Sequence, residues 1–249
     1  MEIGVALLLQ IHDLKKQFRV DGRNVPILDI PEWSVEKGEN VAITGPSGSG
    51  KSTLLHLISG ILLADSGGIV VDGKPLRELT EAKRDAFRAS NIGYVLQDFH
   101  LIPSLTARQN VEIAMTAKLP LKEKRRVVDD WLDQVGLADR GRHLPSQLSR
   151  GQQQRVAIVR ALVNEPPLVL ADEPTGSLDW ETADEIASLL LDLSVAHGHT
   201  LIVVTHDLNM ANRFPRCLNI QEINRIRRES APKLQSSREK RKRELYESL

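Results

Sequence analysis

Short apolar runs recur along this chain and are followed by longer stretches with helical character. The apolar runs lie at 40–44, 168–171 and 201–204, and stretches of helical length or spacing lie at 52–62 and 181–196. Apolar runs of four or five residues predict buried strands, and strands that alternate with helices predict a parallel sheet. The pattern therefore indicates an α/β fold.

The N-terminal part of the chain has a different pattern. Residues 5–45 hold strand-like segments separated by the turn signals Asp21-Gly22 and Lys37-Gly38, and residues 69–72 form another strand-like run before Gly73. Turn dipeptides between apolar runs predict strands joined by tight turns. This part is expected to be mainly β-structure.

The middle of the chain, residues 97–150, changes from strand-like to helical patterns. Helices are predicted at 107–118 and 122–135, with Gly136 as the C-terminal cap of the second, and a further helix is predicted at 149–162. Helices placed between strand-forming ends indicate a helical insertion into the α/β core.

Beyond Arg213 the periodic pattern decays. Residues 213–249 contain eleven Lys and Arg against five Asp and Glu, including the run Arg238–Arg243. Such a run predicts a solvated, flexible tail, and binding to a membrane surface or a partner is the alternative. The expected division is a domain at 1–212 and a basic, flexible extension at 213–249.

Composition narrows the class of protein. The hydrophobic fraction is 41%, the charged fraction is 27% and the formal net charge is zero, which is ordinary for a globular protein and gives no global sign of nucleic-acid binding. The apolar stretch Val5–Leu9 is too short to span a bilayer, so a membrane role is expected only through a partner, without direct insertion. Cys217 is the one cysteine, which excludes an intramolecular disulfide, and we expect it to be a small buried residue.

A glycine-rich loop follows the apolar run at 40–44. Gly45–Ser52 matches the phosphate-binding pattern G-x-x-x-x-G-K-S. Glycines let consecutive backbone N–H groups converge on one anion, and the next helix adds the positive end of its dipole. We expect Lys51 to contact the β- and γ-phosphates and the Ser52 hydroxyl to bind Mg²⁺. The ATP-binding residues expected here are Gly45, Pro46, Ser47, Gly48, Ser49, Gly50, Lys51, Ser52 and Thr53.

A second motif is an apolar strand that ends in two acids. Leu168–Ala171 is followed directly by Asp172 and Glu173. Asp172 is expected to hold Mg²⁺, directly or through water, and Glu173 is placed to polarise an attacking water. A strand that ends in Asp-Glu is common by itself, but downstream of the phosphate loop it indicates a P-loop NTPase.

Three further features lie at predicted helix or strand ends. Ser149 and the Gly151 backbone begin a predicted helix, which is a favourable place for an anion. Gln97 and His206 each follow an apolar strand, and a histidine there can bind a γ-phosphate oxygen or the attacking water. Alone, His206 would more often be a surface histidine, and Gln97 alone indicates nothing.

In their order along the chain these motifs resemble those of the ABC ATPases. The likeness covers residues from about 12 to about 212 and includes Leu148-Ser-Arg-Gly-Gln152, Leu170–Pro174 and Ser177-Leu-Asp179. It implies a P-loop NTPase of the ABC ATPase fold: a RecA-like core with an N-terminal antiparallel β-subdomain and an α-helical subdomain inserted at about 97–150. It also implies hydrolysis of ATP with Mg²⁺ as cofactor.

The same resemblance implies a homodimer, or a pseudo-dimer of two nucleotide-binding subunits, in which the two cassettes enclose two ATP molecules head to tail. The residues implied to contact ATP across the dimer, or to communicate between its sites, are Ser149, Gly151, Gln152 and Asp179. The residues implied to act in catalysis are Lys51, Gln97, Glu173 and His206, and those implied to bind the metal are Ser52, Gln97 and Asp172. Phe18 is the aromatic candidate for stacking on adenine.

The chain is also similar to a subgroup of the family. Ile92–Val111 and Leu170–Asp179 are similar to the lipoprotein-release, macrolide-efflux and cell-division ATPases. Members of that group drive integral membrane permease subunits, which implies a cytoplasmic protein at the inner face of the cell membrane. Phe99–Leu105 would meet the membrane subunit, and ordinary packing within the helical subdomain is an equal alternative.

Two other functions stay open at this stage. One is a soluble ABC ATPase of DNA repair or translation, but those usually carry two cassettes, long coiled coils or zinc motifs, which this sequence lacks. The other is a weakly active regulatory ABC protein. Intact Lys51, Asp172 and Glu173 argue against it, whereas Arg150 argues for it, because the family pattern has glycine at that position.

We predict that the chain is an active ATPase despite Arg150, because Ser149 and Gly151 are retained. Replacing Arg150 by glycine is expected to preserve or raise the rate of phosphate release in a steady-state assay. A lower rate in Arg150→Gly would contradict this expectation.

Overall fold

The computed structural model describes residues 6–226, and the basic run Arg238–Arg243 lies outside them. The strands in this range are β1 (Leu7–Val20), β2 (Arg23–Glu36), β3 (Asn40–Thr44), β4 (Ser66–Val71), β5 (Lys74–Pro75), β6 (Ile92–Val95), β7 (Leu168–Asp172), β8 (Thr200–Val204) and β9 (Arg216–Asn219). The α-helices are α1 (Lys51–Ile58), α2 (Glu81–Asn91), α3 (Ala107–Glu112), α4 (Leu121–Gln134), α5 (Arg150–Leu162), α6 (Trp180–His197), α7 (Leu208–Ala211) and α8 (Ile220–Ile223). Within residues 6–226, no helix has both the length and the apolar character that a membrane span needs.

The strands form two sheets of different kinds. The first is antiparallel with the order β2-β1-β4-β5, and the second is parallel with the order β6-β7-β8-β3-β9. The long hairpin of β1 and β2 turns at Asp21-Gly22, where both residues have positive φ. The expected combination of a parallel α/β core and an N-terminal antiparallel β part is confirmed.

The parallel sheet lies between two hydrophobic cores. Side chains alternate along its strands, so Val41 and Ile43 of β3 pack into the core shared with α1 and the antiparallel sheet. Ala42 points to the opposite core, which contains Val159 of α5 and Ile186 of α6. Both faces of the sheet are therefore covered, as continuous apolar runs in parallel strands predict.

The helical insertion lies between β6 and α5 and contains α3 and α4. Helix α4 agrees closely with the predicted 122–135, but α3 ends at Glu112 rather than near residue 118. The side chain of Asn164 explains the early end, because it donates to Ala114 O at 2.7 Å and accepts from Thr116 N at 3.0 Å. These bonds take backbone groups that a longer helix would need.

The fold continues beyond the boundary expected at residue 212. Strand β9 pairs with β3 in parallel and forms an edge of the core sheet, and α8 follows it directly. Leu218 is buried, whereas Cys217 on the opposite face of β9 is exposed, so the expectation of a buried cysteine is wrong. A four-residue edge strand with a single buried side chain has too little periodicity to be recognised from sequence.

Candidate nucleotide site

The carboxyl ends of three neighbouring parallel strands define the site. Strands β3, β8 and β7 lie side by side, with Ile43 opposite Val204 and Val204 opposite Asp172. This register brings the loop after Thr44, the pair that ends β7 and the segment after β8 to the same edge of the sheet. Ligands of open α/β sheets bind at such an edge.

The phosphate loop requires glycine at two close approaches. Gly50 has φ 98° and its missing Cβ would lie 2.9 Å from a side-chain carbon of Leu28, while Gly45 has φ 149° and would place a Cβ 2.8 Å from Ile220. Both backbone conformations disfavour other residues. The loop can therefore curl directly into the start of α1, and the N-terminus of that helix favours an anion such as a phosphate.

Lys51 lies back across the loop that precedes it. Its Nζ donates to Gly45 O at 2.8 Å and to Pro46 O at 3.2 Å, and it stands 3.9 Å from a carboxylate oxygen of Glu173. The side chain is only 7% exposed. A buried ammonium held by neutral carbonyls is well placed to exchange them for phosphate oxygens, since charge-assisted bonds are stronger.

Ser52 and Asp172 face each other across the site. The Ser52 hydroxyl donates to Asp172 Oδ1 at 3.0 Å. Burial raises the pKa of Asp172, and the Ser52 hydrogen bond opposes that rise. Residues 6–226 contain no cluster of three or more His, Cys, Asp and Glu side chains that could cage an ion. One carboxylate and one hydroxyl fit Mg²⁺, which keeps several waters and takes its other ligands from a substrate phosphate.

The Glu173 carboxylate is held by three donors at the end of β7. Its Oε2 accepts from Thr205 Oγ1 at 3.1 Å, from His206 N at 3.1 Å and from His206 Nδ1 at 2.8 Å. Glu173 has φ 47°, a conformation that costs energy in any residue other than glycine. The carboxylate is 14% exposed and His206 is 67% exposed, so His206 stands at the mouth of the site and Glu173 inside it.

A cavity of about 610 Å³ brings together half of the residues expected at the site. The expected residues that line it are Ser47, Gly48, Gly50, Lys51, Ser52, Thr53, Gln97, Glu173 and His206. Ile27 of β2 lines the same cavity and was not anticipated, because an apolar residue in an antiparallel strand carries no chemical signature. Gln97 reaches the cavity from beyond β6, and its amide nitrogen would lie 3.2 Å from a Cβ at Gly176.

Phe18 is not among the residues that line this cavity. It lies on β1 opposite Val25, is 37% exposed, and has Lys16 Nζ 5.4 Å from the centre of its ring. The same hairpin contributes Ile27 to the cavity wall. Contact between Phe18 and adenine therefore stays a prediction.

Ser149, Gly151 and Gln152 lie outside the cavity, at the start of α5. Ser149 Oγ accepts from Gln152 N at 3.2 Å, and Gln152 Oε1 accepts from Ser149 N at 3.0 Å, which is a capping box. A Cβ at Gly151 would lie 2.5 Å from the Thr182 methyl, so glycine is needed where α5 meets the first turn of α6. These residues line a separate hollow of about 350 Å³.

Asp179 belongs to this second group. Its carboxylate accepts from Thr182 N at 3.0 Å and from Thr182 Oγ1 at 2.8 Å, so it caps α6 beside the hollow. The backbone and side-chain bonds from Thr182 lower the pKa of Asp179. Apart from Phe18, the site residues expected from sequence thus form two groups, one around the 610 Å³ cavity and one around the helix ends at Ser149 and Asp179.

Comparison of the sequence with known proteins gives consistent matches. A family model described as "ABC transporter" matches residues 28–176. The chain is 45% identical over 214 residues to the uncharacterized ABC transporter ATP-binding protein YbbA of Escherichia coli K12, covering 86% of this chain and 94% of that protein. It is also 45% identical over 215 residues to the uncharacterized ABC transporter ATP-binding protein Rv0986 of Mycobacterium tuberculosis H37Rv, covering 86% and 87%.

Solved structures with similar folds are ATP-binding cassettes. A dimeric post-hydrolysis state of the cassette MJ0796 bound to ADP and Pi has a TM-score of 0.78 and 37% identity, covering 85% of this chain and 93% of that chain. CbiO1 from Clostridium perfringens, part of the ABC transporter complex cbiONQ, has a TM-score of 0.73 and 35% identity, covering 82% and 80%.

The raised pKa of Asp172 generates a prediction about stability. The folded protein binds the Asp172 proton more tightly than the unfolded chain does, so the ionised carboxylate lowers stability at neutral pH. Asp172→Asn is expected to raise the melting temperature without ligand, whereas the exposed control Asp192→Asn leaves it unchanged.

With MgATP at about 100 times Kd, binding stabilises the wild type by about 2.7 kcal/mol, roughly 5–10 °C for a domain of this size.

Asp172→Asn is expected to lose more than half of that MgATP-dependent shift, because it removes a carboxylate from the metal site. Thermal scanning with and without MgATP measures both effects. A lower melting temperature without ligand, or a full shift with MgATP, would contradict the role assigned to Asp172.

Proposed function

The chain belongs to the ABC transporter family of ATP-binding proteins, and we propose that it is the ATP-hydrolysing subunit of a membrane complex of the lipoprotein-release and macrolide-efflux type. It is an ABC ATPase of mixed α/β fold that uses ATP and Mg²⁺. The observation that carries the proposal is the arrangement of the site residues: Lys51, Ser52 and Glu173 line one cavity and Asp172 contacts Ser52, while Ser149 and Gly151 lie outside it.

The phosphate loop and the acid at the end of β7 would bind the nucleotide. Lys51 would leave Gly45 O and Pro46 O to contact the β- and γ-phosphates. Ser52 and Asp172, already in contact, would hold Mg²⁺, which neutralises charge that develops on the phosphates during transfer. Such positioning and charge stabilisation account for most of the catalysis of phosphoryl transfer.

Activation of water falls to Glu173. Its Oε2 is occupied by Thr205 and His206, whereas Oε1 faces Lys51 at 3.9 Å and is the oxygen available to orient a water. His206 Nδ1 donates to Glu173, which leaves Nε2 to contact the γ-phosphate or the water at the mouth of the cavity. Gln97 reaches the same space from the other side and would contact Mg²⁺ and the water.

A second copy of the chain would complete each site. MJ0796, which has the same fold, forms a dimer. Ser149 and Gly151 sit at a helix N-terminus, which favours an anion, yet they do not line the cavity that holds Lys51. In a head-to-tail dimer they would contact the γ-phosphate bound by the other copy, so closure of the dimer would be coupled to hydrolysis.

The membrane partner would contact the helical insertion. A groove of about 480 Å³ runs between α2, α3 and α5, with Ile113 at its edge 64% exposed. Of the stretch Phe99–Leu105, Leu101 packs against the core and Ile102 is 39% exposed, so part of the stretch is packing and part is surface. CbiO1 is part of the ABC transporter complex cbiONQ, which supports an analogous membrane partner here.

The finer assignment rests on similarity in two segments. Ile92–Val111 and Leu170–Asp179 are similar to the lipoprotein-release and macrolide-efflux ATPases. An assembly of that type would hold this chain at the inner face of the cell membrane through permease subunits. ATP-driven closure would then move parts of those subunits on the far side of the membrane.

Glu173→Gln is expected to keep ATP binding and to slow hydrolysis by about 100-fold, because general-base groups contribute that much or more. Glu165→Gln is a matched control, since Glu165 is an exposed glutamate that also has φ 47°. Phosphate release measures the rate, and light scattering after gel filtration with MgATP is expected to show a stable dimer in Glu173→Gln. Hydrolysis at the wild-type rate in Glu173→Gln would contradict the assignment.

Tryptophan fluorescence offers an independent measure of the same closure. Trp33 and Trp131 are each 4% exposed, whereas Trp180 is 73% exposed in the first turn of α6, beside Gly151. The emission of Trp180 is expected to shift to shorter wavelength when MgATP closes the dimer of Glu173→Gln. An unchanged spectrum, or one that shifts equally in Trp180→Phe, would contradict a partner surface at this position.

The membrane partner is tested by changing the groove. The full chain, purified from its own host through an affinity tag, is expected to carry an integral membrane protein identifiable by mass spectrometry. Ile113→Asp is expected to lose it, because a carboxylate at the groove edge must be desolvated on docking. Val195→Asp, on the distant helix α6 and 71% exposed, is the control that keeps it. Retention by Ile113→Asp, or no membrane protein with the wild type, would contradict the proposal.

A further inference from the structure

Arg150 is the residue at which this chain departs from the signature pattern of its family. It is the first residue of α5, between the cap Ser149 and the buried Gly151. Its guanidinium lies over the ring of Phe99, with 5.9 Å between Cζ and the ring centre. A cation at that distance from an aromatic face is attracted by the ring. Glycine at this position cannot make the contact.

A second arginine of the same helix fastens the same segment. Arg160 Nη2 donates to Phe99 O and Arg160 Nη1 donates to His100 O, both at 2.7 Å. Burial lowers the pKa of Arg160, and the two carbonyls take the place of the water that burial removes from its guanidinium. His100 has φ 46°, a conformation that persists only where the surroundings hold it. We call residues 98–100, held in this way, the 98–100 turn.

The 98–100 turn follows Gln97 directly in the chain. Only Asp98 separates Gln97 from Phe99, and two residues of extended chain span at most about 7 Å. A displacement of Phe99 that exceeds this span from Gln97 therefore has to move Gln97. The 98–100 turn also contacts α5, whose first residue, Arg150, directly follows Ser149.

We propose that Arg150 is a positioning residue for Gln97: through its contact with Phe99 it fastens the 98–100 turn to α5, so that Gln97 at one nucleotide moves with Ser149 at the other. The proposal rests on the roles suggested above for Gln97 and Ser149. It gives Arg150 a function within its own chain, in contrast to a direct contact with the phosphate bound by the second copy. In the dimer each Arg150 would link the two ATP sites.

The contact itself is tested without nucleotide, and therefore independently of the proposed function. Protein labelled with 4-fluorophenylalanine contains four labelled rings, and the Phe99→Leu variant identifies the Phe99 resonance in ¹⁹F NMR. Arg150→Gln keeps a helix-forming side chain but removes the charge, and it is expected to shift and narrow that resonance alone. Arg155→Gln, which alters a neighbouring arginine of α5, is expected to leave the resonance in place. An unchanged Phe99 resonance in Arg150→Gln overturns the proposal.

The consequence for function is tested by a double-mutant cycle on ATP hydrolysis. The Hill coefficient for ATP is expected to exceed one in the wild type and to fall toward one in Arg150→Gln and in Phe99→Leu. The double variant is expected to fall no further, and kcat is not expected to decrease. Arg150→Lys and Phe99→Tyr, which keep the cation and the ring, are expected to retain cooperativity.

Three results would overturn the proposal. The first is a wild-type Hill coefficient of one, and the second is a pair of losses that add in the double variant. The third is a raised KM in Arg150→Gln with no effect of Phe99→Leu, which would show that Arg150 contacts phosphate instead. A wild-type protein that does not hydrolyse ATP would contradict the ATPase assignment. The ¹⁹F measurement would still test the contact between Arg150 and Phe99.

Discussion

Parallel pairing of β3, β8 and β7 is the constraint on which the rest of the molecule depends. Hydrogen bonding between these strands puts the phosphate loop, the Asp172-Glu173 pair and the Thr205-His206 segment at one edge of the sheet. Ser52 then donates to Asp172 and His206 donates to Glu173, while Lys51 stands 3.9 Å from Glu173. The cost of burying these charges is offset by the two apolar cores that enclose the sheet. The free energy gained by burying the two apolar cores thus offsets the backbone strain at Glu173 and the buried charges of the site.

The parts of the site that sequence predicts well are those encoded by neighbouring residues. The phosphate loop and Asp172-Glu173 lie at strand ends, and a strand end is visible in sequence as an apolar run that stops. Ile27 and the end of α3 were missed because both depend on contacts between distant segments. Ile27 reaches the cavity only through the packing of the β1–β2 hairpin, and α3 ends where Asn164, about 50 residues later, takes its backbone partners. Strand β9 was missed for a related reason, since an edge strand is defined by its neighbour β3 and hardly by its own pattern.

The separation of the site residues into two groups is the reason to expect that two copies of the chain act together. In the proposed function, Lys51, Ser52, Asp172 and Glu173 bind and polarise the nucleotide of their own chain, whereas Ser149 at the start of α5 lines a separate hollow. In the dimer proposed above, such a chain would contribute half of each of two sites, and hydrolysis would depend on association. The role proposed for Arg150 fits this arrangement, because its contact with Phe99 would link the helix that serves the second copy to the glutamine at the nucleotide of its own chain.

The central claim is that each ATP site combines residues of two chains, and mixing two inactive variants tests it most directly. Glu173→Gln removes the water-orienting group, and Ser149→Asp keeps a helix cap but puts a negative charge beside the γ-phosphate of the other copy. Each variant alone is expected to be nearly inactive. If the two are mixed in equal amounts before ATP is added, about half of the dimers are mixed and each has one intact site, so hydrolysis recovers to about a quarter of the wild-type rate. A mixture no more active than the separate variants would contradict the shared site.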